Sequence, residues 1–103
     1  MHELPIACTL TSAEIEARRA TLLPGLLTQA VEQIPLSDGF RWRFVASGAL
    51  LAAVAETINT ERQCCRFLRF VVTVEPNGGA LWLDITGTQG TVAFLETLLQ
   101  SQP

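Results

Sequence analysis

Residues 67–87 read FLRFVVTVEPNGGALWLDITG. The first half is rich in β-branched and aromatic residues and reads as a strand, the PNGG segment at 76–79 as a turn, and ALWLDITG as a second strand. Two strands joined by so short a turn pair antiparallel, so this segment commits the chain to a hairpin. Within it Asp84 shares a face with Trp82 and Thr86, which is expected to be the solvent or interface side.

Working toward the N-terminus, SGALLAAVAETINTERQCC at 47–65 has helical periodicity, with Ser47 as its N-cap. Before it, VEQIPLSDGFRWRFV at 31–45 reads as another hairpin. Its turn falls at Ser37-Asp38-Gly39, because Asp-Gly tolerates the positive φ that tight hairpin turns require. Phe40, Trp42 and Phe44 share one face of the second arm, and Arg41 and Arg43 the other. Pro35 makes the first arm an edge strand or loop.

Earlier still, IACTL at 6–10 alternates as a short strand. Thr11 and Glu14 then form a capping box that opens a helix through IEARRATLL. Pro24 and Gly25 are expected to interrupt that helix, with a kink or a short second helix over GLLTQA. Beyond the central hairpin, TQGTVAFLETLLQ closes the chain as a helix capped near Thr88 or Thr91. The expected order is therefore β-α-β-β-α-β-β-α. This is a single α+β domain over residues 1–103, a two-layer sandwich with a mostly antiparallel sheet and helices on one face.

Composition narrows the function classes. The 103 residues are 49% hydrophobic, yet no apolar run approaches the roughly 20 residues that span a bilayer. The opening MHELPIACTL has no basic region followed by a long apolar segment, so a cytoplasmic location with reduced thiols is expected. Net charge is −3 and the seven basic residues are all arginines, scattered among acids, which argues against a nucleic-acid partner. His2 is the sole histidine, so histidine-based triads and acid–base chemistry are excluded. The glycines of GTQGT at 87–91 precede a helix but lack the lysine of a phosphate-binding loop, and an ordinary strand-to-helix turn is the better reading.

The chemistry concentrates in ERQCCRFLRF at 61–70. Stepping the second helix by roughly 100° per residue gathers Leu50, Leu51, Val54, Ile58, Cys65 and Leu68 into one apolar arc, with Glu61 near its middle. In the first helix the stripe Ile15, Leu22, Leu23 and Leu26 contains Arg19. A buried charge pairs or neutralises, so a structural Arg19–Glu61 ion pair is expected.

Three cysteines, Cys8, Cys64 and Cys65, are an odd number and argue against a disulfide framework. Adjacent Cα atoms lie about 3.8 Å apart, too close for an unstrained bridge between Cys64 and Cys65. An intact helix would also aim those two thiols roughly 100° apart, so a shared site requires the helix to end around residues 64–66. The spacing fits no closed zinc framework, and His2 is a weak fourth donor. Soft thiolates suit copper(I) and, by the same softness, mercury(II) or arsenite, with zinc to be tested beside them. Arg62 and Arg66 flank the pair and would lower a thiol pKa, whereas the helix C-terminus opposes a thiolate.

The combination of CTLT, EARRATLLPGLL, ERQCCRFLRFVVTVEP and LWLDITGTQGT resembles a family of small uncharacterised bacterial proteins of about this length. The resemblance covers nearly the whole chain and is most specific at Glu-x-x-Cys-Cys-x-Phe-Leu-x-Phe. It implies a likeness to accessory proteins of mercury, arsenic and other metal-resistance loci. The family often has proline after the cysteine pair, where Arg66 stands here.

Three readings follow. In the first, the chain is a soft-metal or metalloid binder with Cys8, Cys64 and Cys65 as ligands and Glu61 and Arg19 orienting them. In the second, one cysteine of the pair is a redox-active nucleophile with Glu61 as proton acceptor. In the third, the chain is a structural homodimeric module with buried, inert cysteines.

Overall fold

The structure is a computed structural model and describes residues 22–100, with side chains for all of these except 64 and 98–100. Among them the order is α-β-β-α-β-β-α. A helix over residues 22–27 (α1) leads into strands Glu32–Leu36 (β1) and Gly39–Phe44 (β2). Helix Gly48–Cys64 (α2), strands Leu68–Val74 (β3) and Leu81–Gly87 (β4), and helix Thr91–Gln100 (α3) follow. This differs from the expected order in its first element: the expected strand at 6–10 lies outside the described residues, as do Thr11, Ile15 and Arg19.

The described strands form one antiparallel sheet in the order β1-β2-β4-β3, with β1 and β3 at its edges. Register sets its two faces. Phe40 stands opposite Ile85, Trp42 opposite Leu83 and Phe44 opposite Leu81, and across β4 the same three residues face Phe70, Val72 and Val74. The six residues from β2 and β4 are buried together with Leu23, Leu26 and Leu27 of α1, Leu50 and Val54 of α2 and Leu95 of α3. The helices thus cover one face, as period-2 strands and period-3.6 helices require when each has one apolar side. The other face carries Arg41, Arg43, Arg69, Val71, Thr73, Trp82 and Asp84.

Both hairpins turn where expected, for different reasons. Asn77 (φ 59°) and Gly78 (φ 72°) are left-handed, and the Gly79 N–H donates to the Pro76 carbonyl at 3.1 Å, the mirror-image turn that matches strand twist. At Ser37–Asp38 no residue has positive φ, so glycine is not needed there for its backbone freedom. Gly39 is needed because β4 passes so close: a Cβ there would overlap the Ile85 carbonyl oxygen.

Two other expectations change. Pro24 and Gly25 do not interrupt α1 within 22–27, where the Thr28 N–H closes the turn onto the Pro24 carbonyl at 3.1 Å. The buried Leu23, Leu26 and Leu27 hold that turn against the core. On α2, Leu51 is 42% exposed and leaves the stripe, and Thr57, 2% exposed, takes a core place. The steps 50, 54, 57, 61 follow one helix face more closely than a set containing 51. The Thr57 hydroxyl is satisfied by donating to the Ala53 carbonyl at 2.7 Å. The last helix begins where expected: α3 starts at Thr91, whose hydroxyl donates back to the Thr88 carbonyl at 2.6 Å.

Candidate functional site

Helix α2 opens as expected, with the Ser47 hydroxyl accepting from the Leu50 N–H at 3.0 Å. Its far end carries the cysteine pair. The last helical residue is Cys64, and Cys65 caps it with φ −111° and ψ 78°, its N–H donating to the Glu61 carbonyl at 2.6 Å. The Leu68 N–H then bonds the Cys65 carbonyl at 3.1 Å, and β3 begins.

Burial explains the switch. Phe67 and Leu68 are both buried, and the Phe67 ring meets Phe94 of α3 edge-on at 5.0 Å. Continuing the helix would pull these two residues out of the core, at about 2 kcal/mol for each large apolar side chain exposed. The chain therefore leaves the helix between the two cysteines, the condition that a site using both thiols requires.

Cys65 and Glu61 are each 0% exposed. A carboxylate and a thiol one turn apart thus sit inside the apolar core cluster, as the helical stepping anticipates. Two buried hydroxyls extend this polar seam along α2, Thr57 at 2% and Thr60 at 8%. Sequence reading missed both, although Thr57 is one turn before Glu61 and the same stepping finds it.

Arg62 is exposed, its Nε donating to the Asn59 side chain at 3.0 Å, and Arg66 is exposed as well. Both charges stand on the solvent side while Cys65 faces the core. Cys8, Arg19 and His2 lie outside the described residues. Among the described residues no cluster of three or more histidine, cysteine or acidic side chains has metal-binding geometry. No described helix is long and apolar enough to cross a membrane.

The open face of the sheet carries a separate set of charges. Arg41 grips Asp84 through two hydrogen bonds, Nε at 2.7 Å and Nη2 at 2.9 Å, and lies 5.8 Å from the Trp82 ring. That contact raises the Arg41 pKa above its ordinary value, the Asp84 hydrogen bond contributing most and its charge next. A depression lined by Arg41, Thr73, Glu75 and Trp82 opens on this face, away from the core that holds Cys65. The expected face assignment of Asp84 holds, and Trp42 is a core residue.

No protein-family model matches the chain, and comparison with curated proteins and with solved structures likewise finds no match.

Proposed function

We propose that the chain is a cytoplasmic thiol-based binder of a soft metal ion or metalloid, with Cys64 and Cys65 as its primary ligands. Cys8 is the third ligand, and Glu61 with Arg19 forms the pair that orients them. The observation that carries this reading is the end of α2 between the two cysteines, beside a fully buried carboxylate. Adjacent thiols on an intact helix diverge, and a helix that stops at Cys64 removes that obstacle. Two or three sulfur donors favour copper(I), mercury(II) or arsenite over hard cations, with zinc the borderline case.

Native mass spectrometry of the reduced protein, titrated with each of these four in competition with glutathione, tests the reading. One soft ion bound per chain, and lost in Cys64→Ser/Cys65→Ser, is the expected result. Uptake that is absent or unchanged in that variant refutes it.

One observation favours a second reading. Cys65 is completely buried, and free cysteine often serves as a small hydrophobe. In that reading the chain is a structural homodimeric module, and a variant with all three cysteines replaced folds and associates like the wild type.

A further inference from the structure

The two edges of the sheet are unlike. Edge strand β1 carries Pro35 and Glu32, features that discourage a further strand from pairing. Edge strand β3, LRFVVTV, has neither proline nor glycine, one charge and strong β-formers throughout. Its three valines stay in water: Val71 is 38% exposed, Val72 37% and Val74 59%. Val72 and Val74 belong to the helix-covered face, so the core layer stops short of this edge.

The open face supplies a second observation. Across β1 and β2, Glu32 stands directly opposite Arg43 and bonds it at 2.8 Å. Across β2 and β4, Arg41 stands directly opposite Asp84 and bonds it twice. On β3, Arg69 stands opposite Thr86, a residue without charge. Arg69 and Glu75 are both exposed and join no ion pair among the described residues.

We infer that β3 pairs antiparallel with β3 of a second copy of this chain, about a two-fold axis at Val72. An antiparallel two-fold pairing keeps the same face of both sheets together, so residues of equal parity must stand opposite one another. With the axis at Val72, Arg69 faces the partner's Glu75 and Phe70 faces the partner's Val74. Val71 faces the partner's Thr73, and Val72 faces its own symmetry mate. Every described arginine of the open face then has an acid directly opposite, and on the helix-covered face Val72 and Val74 close over Val72 and Phe70 of the second copy.

Neighbouring registers lose this match. An axis at Val71 sets Arg69 against threonine, and one at Thr73 sets Val71 against glutamate. The match is self-complementary, which a second copy satisfies through one register. Among the described residues the product is a continuous eight-stranded sheet with their helices on one side.

Sedimentation equilibrium of the full chain tests this, with hydrogen exchange of the β3 amides read in parallel. The wild type is expected to be a dimer with protected β3 amides. Val72→Lys places two cations at the axis and is expected to give a monomer with an unchanged circular dichroism spectrum. Arg69→Glu and Glu75→Arg are each expected to raise the dissociation constant about tenfold, since each turns two opposite-charge cross-strand pairs into like-charge pairs. The double swap Arg69→Glu/Glu75→Arg restores wild-type association.

A wild type that stays monomeric overturns the proposal. So does a dimer indifferent to Val72→Lys, or single reversals that the double swap does not repair. A monomer with protected β3 amides would assign the edge to another segment of the same chain.

Discussion

Replacing Gly39 with alanine tests the close approach of β2 to β4. The atoms that a Cβ would meet are all backbone: the Ile85 carbonyl oxygen, the Ile85 carbonyl carbon at 2.8 Å and the Thr86 Cα at 2.8 Å. No rotamer change can relieve that overlap, so the strands must part at this end. Parting breaks the Gly39–Thr86 pairing and the hydrogen bond from the Gly87 N–H to the Asp38 carbonyl at 3.1 Å. It also strains the seat of Phe40, which is 7% exposed. One or two hydrogen bonds at about 1 kcal/mol each, with overpacking of about 1–3 kcal/mol, give a loss of about 2–5 kcal/mol.

At about 4–8 °C per kcal/mol for a domain of this size, the midpoint should fall by about 8–40 °C. Urea and thermal unfolding followed by circular dichroism measure it, with Gly25→Ala as the control of opposite sign. Gly25 lies in α1 with no atom near its missing Cβ, so alanine there should stabilise by about 0.5–1 kcal/mol. A Gly39→Ala protein within about 0.5 kcal/mol of the wild type would refute the β2–β4 register on which both sheet faces rest.

Asn77→Val should cost about 1–2 kcal/mol in the same unfolding assay, because a β-branched residue is forced to φ 59°, whereas Asn77→Gly should be near neutral. Ser47→Ala should cost about 1 kcal/mol by leaving the Leu50 N–H without its capping oxygen, and Ser47→Asp should recover most of it.

The sheet and α2 were legible because their signals are local. Alternation in Phe40, Trp42 and Phe44, the PNGG turn and the Ser47 cap each need only a few neighbouring residues to be read. What escaped depends on contacts distant in sequence. The Asp-Gly pair signals a turn through backbone freedom, but the cause of Gly39 is Ile85, a residue far along the chain. Leu51 and Thr57 exchanged roles because an apolar arc drawn from residue type ranks leucine above threonine. Burial is decided instead by angle, and a threonine hydroxyl can satisfy itself on the helix backbone. At the candidate site, the burial of Glu61 and Cys65 and the helix end at the cysteine pair were readable, since strand pattern begins at Phe67. The outward placement of Arg62 and Arg66 was not, because spacing brings charges near a thiol without saying which side of the helix they occupy.

Glu61 is where local preference and the fold disagree. Its position belongs to the core face of α2, between Val54 and Cys65, where an aliphatic residue would add to the apolar cluster. Burying a carboxylate there costs several kcal/mol in desolvation, and even a well-made buried ion pair is often no better for stability than hydrophobic residues of the same volume. Stability alone therefore does not account for a glutamate at this place. Sequences that fold well agree with themselves at every level except at functional or strained sites. This exception falls one turn from the cysteine pair, on the residue whose backbone carbonyl receives the Cys65 N–H. The last turn of α2 thus joins the buried carboxylate to the thiol through the backbone. In the proposed reading, a ligand seated on Cys65 has to be accommodated against that turn, which would couple binding to stability at the junction of α2 and β3.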